Sequence, residues 1–435
     1  MKRRTFLQLS GIISTYALSG SLSQMLFASK NSLFNNKMAK DPLKVLDVHR
    51  SLSYNIISTK GQKMSDGFRV PGNPDGMSLF NIDKEHSVLI RNHELGRTSG
   101  RLMGPFKNPK NDALKLEEKH YDINAFGGTT SILLNDKSND VVKEYLSLSG
   151  TMTNCAGGRT PWGTWLTCEE NISQKKKNKV SHGYVFEVDP NKDFLQNPIP
   201  LKKLGRFKHE AVAFDKFGCA YLTEDQGDGL LYKFVPKNNN SLENGELYAL
   251  KINKKDSRNW NKRDILVNQK FNVEWAKLED VDPDSDTLRV EGMKKGATIF
   301  ARGEGITYDG DSIFITCTSG GKLNKGQIWK LTPKSKKEST LELWFEVGKN
   351  DMLNMPDNLT VAPWGDLIVC EDNPDIDRLW GIKPNGSSYL IAENNYSRAE
   401  LAGVCFNPQN NVLYLNIQQN GQTLAINGDW GVVRS

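Results

Sequence analysis

Short apolar runs alternate with polar turn residues along most of the chain. Residues 211–223, AVAFDKFGCAYLT, place apolar and β-branched positions on both sides of a glycine-containing turn, and residues 305–317, GITYDGDSIFITC, repeat the arrangement. Apolar runs of this length, bounded by Gly, Asp or Asn, are typical of β-hairpins. The pattern therefore predicts an all-β fold.

Five of these hairpins share a second pattern in their polar residues. Each begins with one residue of a metal-binding type, which we call the lead residue, and most end in a polar or acidic pair. In three of them the final pair is acidic and follows the lead residue by 14 and 15 positions. The lead residues are Cys155, Glu210, Glu304, Asp357 and Glu400; the acidic pairs are Glu169 with Glu170, Glu224 with Asp225, and Glu371 with Asp372.

The spacing of the lead residues predicts a β-propeller. Successive leads are 55, 94, 53 and 43 residues apart, and repeats of about 40–50 residues are typical of four-stranded propeller blades. A sixth unit is predicted near Glu94, 61 residues before Cys155. The longest interval contains a polar stretch at 236–296, interpreted as an irregular insertion with a short helix near 274–278. We expect a single domain of about six blades over residues 29–435.

The repeated acids predict a metal site at one mouth of the propeller. An offset of 14 or 15 returns the chain to the end of the hairpin where it began, so the lead residues and the acidic pairs are expected to meet. So many carboxylates cannot stay ionised together without cations. Oxygen ligands favour Ca²⁺, and one thiolate among them points to a transition metal. The predicted ring comprises Glu94, Cys155, Glu169, Glu170, Glu210, Glu224, Asp225, Glu304, Asp357, Glu371, Asp372 and Glu400.

Cys155 is predicted to be the one cysteine among six that binds a metal, because it alone takes a lead position. The other five lie in apolar runs and are interpreted as buried thiols, although disulfides remain open in an exported protein.

Charge and the N-terminus narrow the setting in which the protein works. The formal net charge is +6, of which Lys2, Arg3 and Arg4 contribute three. The remaining +3, without a Lys/Arg stripe interleaved with aromatics, argues against nucleic acid as a partner. Residues 1–28 combine Arg3 and Arg4 with an apolar stretch and resemble a twin-arginine export signal. No later apolar run reaches 18 residues, so we expect no stable membrane insertion.

Several motifs resemble those of the PhoX family of alkaline phosphatases. The most specific is TNCAGGRTPWGTWLTCEEN at 153–171. Further matches, in the order in which the family has them, are NHE at 92–94, GGTTS at 127–131, FKHEAVAF at 207–214, RGEGITYDG at 302–310, PDNLTVAPWGDL at 356–367 and AELAGVCFNP from 399.

The resemblance implies an exported β-propeller phosphomonoesterase with iron and calcium at the channel mouth. Cys155 would bind iron, Glu210 and Glu304 would be shared carboxylate ligands with a catalytic role, and Arg302 would hold the substrate phosphate. The remaining implied ligands of calcium or iron are Glu94, Glu169, Glu170, Asp225, Asp357, Glu371 and Asp372. A small phosphate monoester is the expected substrate, the twin-arginine machinery the expected export partner, the periplasm or exterior the expected location, and a monomer the expected state.

Two other functions stay open at this point. A calcium-dependent propeller hydrolase of the lactonase or esterase type shares the fold, but it would leave Cys155 unexplained. A non-catalytic propeller stabilised by calcium could instead bind a partner, since fold alone does not define function. Hydrolysis of p-nitrophenyl phosphate separates these functions most directly.

Overall fold

The computed structural model describes residues 37–173, 180–262, 264–349 and 351–435. The predicted export signal at 1–28 lies outside the described residues. Six antiparallel sheets surround a central channel, as the hairpin repeats predict. The innermost strands of the six sheets contact one another in a closed circle, so the fold is a six-bladed β-propeller. The predicted fold class is confirmed.

The first three blades are formed by consecutive stretches of chain. Blade 1 contains β4 (Pro74–Asn81), β5 (His86–His93), β6 (Gly127–Asn135) and β7 (Val141–Thr151); blade 2 contains β8 (Asn154–Arg159), β9 (Trp165–Glu169) and β10 (Val185–Val188); blade 3 contains β11 (His209–Phe214), β12 (Ala220–Glu224), β13 (Leu231–Pro236), β14 (Gly245–Lys251) and β16 (Glu274–Lys277).

The other three blades each recruit one or two strands from outside their own repeat. Blade 4 contains β17 (Gly303–Tyr308), β18 (Ile313–Cys317), β19 (Gln327–Pro333), β20 (Ser339–Glu346) and β15 (Lys270–Asn272); blade 5 contains β21 (Pro356–Val361), β22 (Leu367–Glu371), β23 (Arg378–Ile382), β24 (Ser388–Glu393), β2 (Asp47–His49) and β1 (Met38–Ala39); blade 6 contains β25 (Leu401–Asn407), β26 (Val412–Ile417), β27 (Gln422–Gly428) and β3 (Leu52–Thr59).

The N-terminal strands close the ring. β3 pairs with β27 from Leu52 opposite Gly428 to Thr59 opposite Gln422, so blade 6 is completed from both ends of the chain. β2 pairs with β24 at the outer edge of blade 5. The chain continues from β3 in blade 6 to β4 in blade 1, so the backbone hydrogen bonds between β3 and β27 close the ring.

Apolar side chains fill the spaces between neighbouring blades. One cluster packs blade 5 against blade 6 and includes Ile368, Leu379, Leu401 and Leu413, none of them exposed to solvent. Burying a side chain of this size stabilises the fold by about 1.5–3 kcal/mol. The helices are short and peripheral: α1 (Arg97–Met103), α2 (Pro109–Leu114), α3 (Leu288–Lys294) and α4 (Trp430–Val433). No helix among the described residues is long and apolar enough to cross a membrane.

The structure corrects two details of the sequence prediction. The stretch 236–296 is not an irregular insertion throughout, because it supplies β14 and β16 to blade 3 and β15 to blade 4. Residues 274–277 form a strand, and the helix of this region lies at Leu288–Lys294. The unit predicted near Glu94 begins earlier, at Pro74, and Glu94 follows its second strand.

Candidate metal centre and active site

A β-bulge near the start of each innermost strand builds the site. In every blade two consecutive residues of the inner strand are skipped in the pairing with the second strand. Bulges redirect side chains away from the regular alternation of a strand. The first skipped residues are Asp75, Cys155, Glu210, Glu304, Asp357 and Gly403, so five of the six blades place a potential ligand at this point.

The potential ligands converge at one mouth of the channel. Ligand atoms of Cys155, Glu170 and Glu210 all lie within 4.8 Å of one another, and those of Glu210, Glu304 and Asp357 do the same. Glu210 therefore belongs to both groups. The Cys155 Sγ also lies 3.8 Å from Asp75 Oδ2. Spacings of this kind suit side chains that share one or more cations.

Several of these oxygens are buried without a partner. Both carboxylate oxygens of Glu210 and the Oδ1 of Asp75 have no hydrogen-bond partner among the described residues, and the two residues are 0% and 1% exposed. An uncompensated buried carboxylate costs several kcal/mol. A set of buried oxygen ligands with one sulfur fits a mixed site for hard cations and a transition metal.

Burial and mutual repulsion raise the pKa values of the cluster. Burial, followed by the charges of neighbouring carboxylates, raises the pKa of Asp75, Glu210, Glu304 and Glu400 well above the usual range. Burial is also the largest cause that raises the pKa of Glu170 to about 8. It likewise raises the pKa of the Cys155 thiol. Without cations these groups would hold protons, so cation binding must displace protons from them.

Arg302 is the positively charged side chain in contact with the cluster. Its Nε donates to Asp225 Oδ1 (2.8 Å), its Nη1 to Asp372 Oδ2 (3.0 Å) and its Nη2 to Glu304 Oε1 (2.5 Å). The pKa of Arg302 is raised, because Glu304 and the two aspartates outweigh the opposing effect of burial. The Arg302 side chain is 30% exposed, so part of it is in contact with solvent.

The acidic pairs split between two environments. We call the first members, Glu169, Glu224 and Glu371, the strand-end glutamates, because each is the last residue of its second strand. We call Glu170, Asp225 and Asp372 the cluster-facing acids. Glu169 accepts hydrogen bonds from the backbone N–H groups of Met152 (2.9 Å) and Gly183 (2.8 Å) and lies 2.7 Å from His182 Nδ1.

Glu371 is held within its own blade as well, and the ligand role of Glu169 and Glu371 stays a prediction. Glu371 Oε1 accepts hydrogen bonds from the Asn354 N–H (2.7 Å) and the Trp380 Nε1–H (2.9 Å), within its own blade. Glu224 likewise accepts from Leu230 N–H and from Tyr232 Oη. Each cluster-facing acid comes directly after the end of its strand, where it contacts Arg302 or lies among the potential ligands.

The sequence prediction missed Asp75, which occupies the bulge of blade 1. Residues 74–76, Pro-Asp-Gly, match residues 356–358, Pro-Asp-Asn, around Asp357. The hairpin of blade 1 is longer, since Pro74 pairs with His93 whereas Pro356 pairs with Glu371. The offset of 14 or 15 therefore fails in this blade. Glu94 reaches the cluster from the other strand, where Gln418 Nε2 donates to both Asp75 (2.6 Å) and Glu94 (2.9 Å).

Blade 6 departs from the other five because its bulge residue is Gly403. A Cβ here would lie 2.1 Å from the Asp75 carbonyl oxygen, and φ is +67°, so only glycine fits. Glu400 lies in the loop before β25. Burial raises the pKa of Asp357, and the side-chain hydrogen bond with Glu400 opposes that rise. The lead position predicted for Glu400 is thus three residues before the actual bulge.

Comparison with known proteins settles the family. The chain matches the family described as alkaline phosphatase PhoX over residues 33–421. It belongs to the PhoX family of alkaline phosphatases. The resemblance inferred from the sequence motifs is confirmed, and with it the assignment of the chain as a phosphatase of the phosphomonoesterase class. PhoX phosphatases are exported and depend on metal ions.

The chain is also similar to solved structures. The chain is similar to Pseudomonas fluorescens PhoX in complex with vanadate, a transition-state analogue, with a TM-score of 0.68 and 19% identity over 88% of this chain and 96% of that one. A gluconolactonase from Xanthomonas campestris gives 0.46 and 6% identity, over 90% and 100% of the two chains. Virginiamycin B lyase from Staphylococcus aureus gives 0.39 and 11% identity, over 86% and 99%. No match was found among curated protein sequences.

Proposed function

We propose that this PhoX phosphatase hydrolyses small phosphate monoesters at the carboxylate cluster, with iron and calcium ions bound there. The observation that carries the proposal is Glu210, which has two buried carboxylate oxygens without a partner among the described residues and belongs to both groups of potential ligands. A buried anion in this state needs a cation, and a phosphatase needs positive charge around the phosphoryl oxygens.

The donor atoms divide the proposed ligands between the two metals. Cys155, Glu170 and Glu210 combine a thiolate with carboxylates, which suits iron. Glu210, Glu304 and Asp357 offer oxygen alone, which suits calcium, and the ligand set is completed by Asp75, Glu94, Glu400, Asp225 and Asp372. Glu169 is left out, because both of its oxygens accept backbone hydrogen bonds. Glu371 is left out, because its Oε1 accepts two hydrogen bonds within its own blade and its Oε2 lies 3.8 Å from Arg378.

Arg302 is the proposed phosphate-binding residue. In the structure its donors are used by Asp225, Asp372 and Glu304. When cations neutralise these carboxylates, the guanidinium becomes available to a phosphate, to which it can donate two parallel hydrogen bonds. The bound metal ions would supply Lewis-acid stabilisation of the phosphoryl oxygens and activation of water. The negative charges of Glu304 and Glu210 would balance the positive charge of the bound ions next to the reacting phosphate.

We further propose that the twin-arginine route exports the folded protein to the periplasm or the exterior. Arg3 and Arg4 ahead of an apolar stretch support this route. Replacing both arginines with lysine should trap the precursor in the cytoplasm, as seen by cell fractionation. Normal export of the double variant would rule out the twin-arginine route and leave the phosphatase assignment untouched.

Hydrolysis of p-nitrophenyl phosphate by the purified protein tests the enzymatic proposal. Activity should disappear on exhaustive dialysis against a chelator and return with calcium, provided that iron remains bound. Full activity after chelation would contradict a metal-dependent site. A matched assay with a lactone substrate separates the phosphatase from a lactonase with the same fold.

A further inference from the structure

A strained turn precedes the bulge in four of the six blades. The residue two positions before the bulge residue has a positive φ in each: Asn73 (43°), Thr153 (54°), Arg302 (52°) and Met355 (53°). Residues other than glycine pay for this conformation, and a β-branched threonine pays most. Such strain persists only where surrounding contacts enforce it.

One backbone hydrogen bond recurs at each of these turns. The carbonyl of the strained residue accepts from the N–H that directly follows the second strand of the same blade. The pairs are Glu94 to Asn73 (2.9 Å), Glu170 to Thr153 (2.9 Å), Thr318 to Arg302 (3.1 Å) and Asp372 to Met355 (2.9 Å). The turn that carries the bulge residue is thereby tied to the residue that faces it across the cluster.

A side chain at the end of the second strand makes the next contact. In blade 2, Glu169 Oε1 accepts from the N–H of Met152, the residue before Thr153. In blade 5, Glu371 Oε1 accepts from the N–H of Asn354, the residue before Met355.

Blade 1 uses a histidine for the same purpose. His93 Nδ1 lies 2.9 Å from the carbonyl of Gly72, the residue before Asn73. In three blades, a side chain at the same register thus contacts the residue before the strained one, through its N–H in blades 2 and 5 and through its carbonyl in blade 1.

We propose that Glu169 and Glu371 are positioning residues that hold the strained turns carrying Cys155 and Asp357, and so preorganise the metal site before ions bind. This inference rests on the proposed metal site. Residues behind the direct ligands typically change metal affinity ten- to a hundredfold when they are replaced. The conserved feature within this molecule is the contact rather than the side-chain type.

Each glutamate is itself held in place by a cation. His182 lies 2.7 Å from Glu169 Oε1 and, through its other nitrogen, 3.1 Å from Asp122 Oδ2. Arg378 Nη1 lies 3.8 Å from Glu371 Oε2. These partners keep the carboxylates directed at the turns and away from the channel.

The two glutamates differ in how many oxygens they use, and the difference provides a test. Both oxygens of Glu169 accept backbone hydrogen bonds, so Glu169→Gln must turn its NH₂ group toward an N–H. Glu371 accepts both of its hydrogen bonds through Oε1, so Glu371→Gln can keep them. We expect Glu169→Gln to weaken iron binding about ten- to a hundredfold. Glu371→Gln should bind calcium nearly as the wild type does, and Glu371→Ala should not.

Iron and calcium titrations of chelator-treated full-length mature protein measure these effects, with visible thiolate-to-iron absorption and thermal unfolding recorded on the same samples. Glu224→Gln is the matched control, since Glu224 is buried at the same register but accepts from Leu230 and Tyr232, which follow it. This control should leave iron affinity unchanged.

A rescue experiment separates positioning from general stability. Glycine adopts a positive φ without strain, so Thr153→Gly should restore much of the iron affinity lost in Glu169→Gln. A folded Glu169→Gln protein with wild-type iron affinity and absorption would overturn the proposal. If that variant does not fold, equal calcium affinity of Glu371→Gln and Glu371→Ala would overturn it instead. A wild-type protein that binds no iron would refute the metal site itself, which is a different result.

Discussion

Glu169 and Glu170 are adjacent in sequence but lie in opposite electrostatic environments. Glu169 faces its own blade, where two backbone N–H groups and His182 satisfy its oxygens. Glu170 faces the channel, where burial, and to a smaller extent the charges of Asp225 and Glu94, raise its pKa to about 8. Two adjacent residues therefore differ in what they need. The protein's own hydrogen bonds satisfy the Glu169 carboxylate, whereas the Glu170 carboxylate needs an ion.

The other two acidic pairs are divided in the same way, but the carboxylate oxygens of their strand-end glutamates are less completely hydrogen-bonded. Glu224 and Glu371 each approach one arginine, Arg289 at 3.7 Å and Arg378 at 3.8 Å. Burial still raises the pKa of both glutamates to about 8. On the channel side, Arg302 is the cation among the described residues that contacts both Asp225 and Asp372. Among the described residues, the cluster-facing side therefore has many more buried acids than protein cations.

The largest effect is expected from removing the carboxylate that belongs to both ligand groups. Glu210→Gln should reduce phosphatase activity by about a hundredfold or more and lower the content of both metals, because two potential sites lose a ligand. Activity on p-nitrophenyl phosphate and metal analysis check this. Glu224→Gln, which removes the charge of a buried strand-end glutamate, should keep both metals. Equal losses of metal in Glu210→Gln and Glu224→Gln would mean that the acids of the cluster and the strand-end glutamates do not differ in metal binding.

The next effect concerns the sulfur ligand. Cys155→Ser should lose iron and any visible thiolate-to-iron absorption, while calcium binding persists at the oxygen-only group. Cys168→Ser is the control, because Cys168 is buried and directly precedes the strand-end residue Glu169. All six cysteines are free thiols in the structure, so neither substitution breaks a disulfide. An unchanged iron content and spectrum in folded Cys155→Ser would reject the ligand role.

Removing the protein cation at the mouth should have a smaller effect. Arg302→Ala should lower kcat/KM about ten- to a hundredfold, which corresponds to about 1.5–3 kcal/mol for one charge-assisted contact. Metal content should stay at the wild-type level, because Arg302 donates hydrogen bonds and binds no cation. Steady-state kinetics with parallel metal analysis checks this. A kcat/KM equal to that of the wild type would place Arg302 outside the substrate site.

The smallest effect is a pH dependence of stability that calcium suppresses. In the ion-free fold the pKa is raised to about 7 for Glu94 and about 8 for Glu170, whereas an unfolded glutamate titrates near about 4.3. The folded state therefore holds protons that the unfolded state releases, and the free energy of unfolding should fall as pH rises from about 4.5 to about 8. The destabilisation is absent below this window and complete above it.

Thermal unfolding of chelator-treated protein between pH 4.5 and pH 8.5 measures this effect. Added calcium should remove the share that comes from the cluster, and the share from Glu224 and Glu371 should remain. A pH dependence that calcium does not change would mean that the cluster acids bind no ion.

The sequence carried the fold and most of the site because both follow from local patterns. Hairpins bounded by turn residues predicted six blades, and the recurring lead residues located Cys155, Glu210, Glu304 and Asp357. Asp75 escaped because a longer hairpin broke the offset in blade 1. Strand β15 escaped because its partner lies far along the chain, with Phe271 opposite Leu341. Strand β14 escaped because the polar residues before it masked a local hairpin in which Pro236 pairs with Gly245.

The sequence could not separate the surroundings of the two acids in each pair for a different reason. The bulges shift the inner strand by a residue, so the offset alone does not tell which member of an acidic pair faces the channel. Only the three-dimensional register, with Asn154 opposite Glu169 and Pro356 opposite Glu371, decides it.

Metal analysis of the purified mature protein by mass spectrometry tests the central claim most directly. If the cluster-facing acids and Cys155 form the metal site, the wild type carries both iron and calcium, Glu210→Gln loses both, and Glu224→Gln retains both. A wild-type protein that is active on p-nitrophenyl phosphate yet contains neither iron nor calcium would contradict the account.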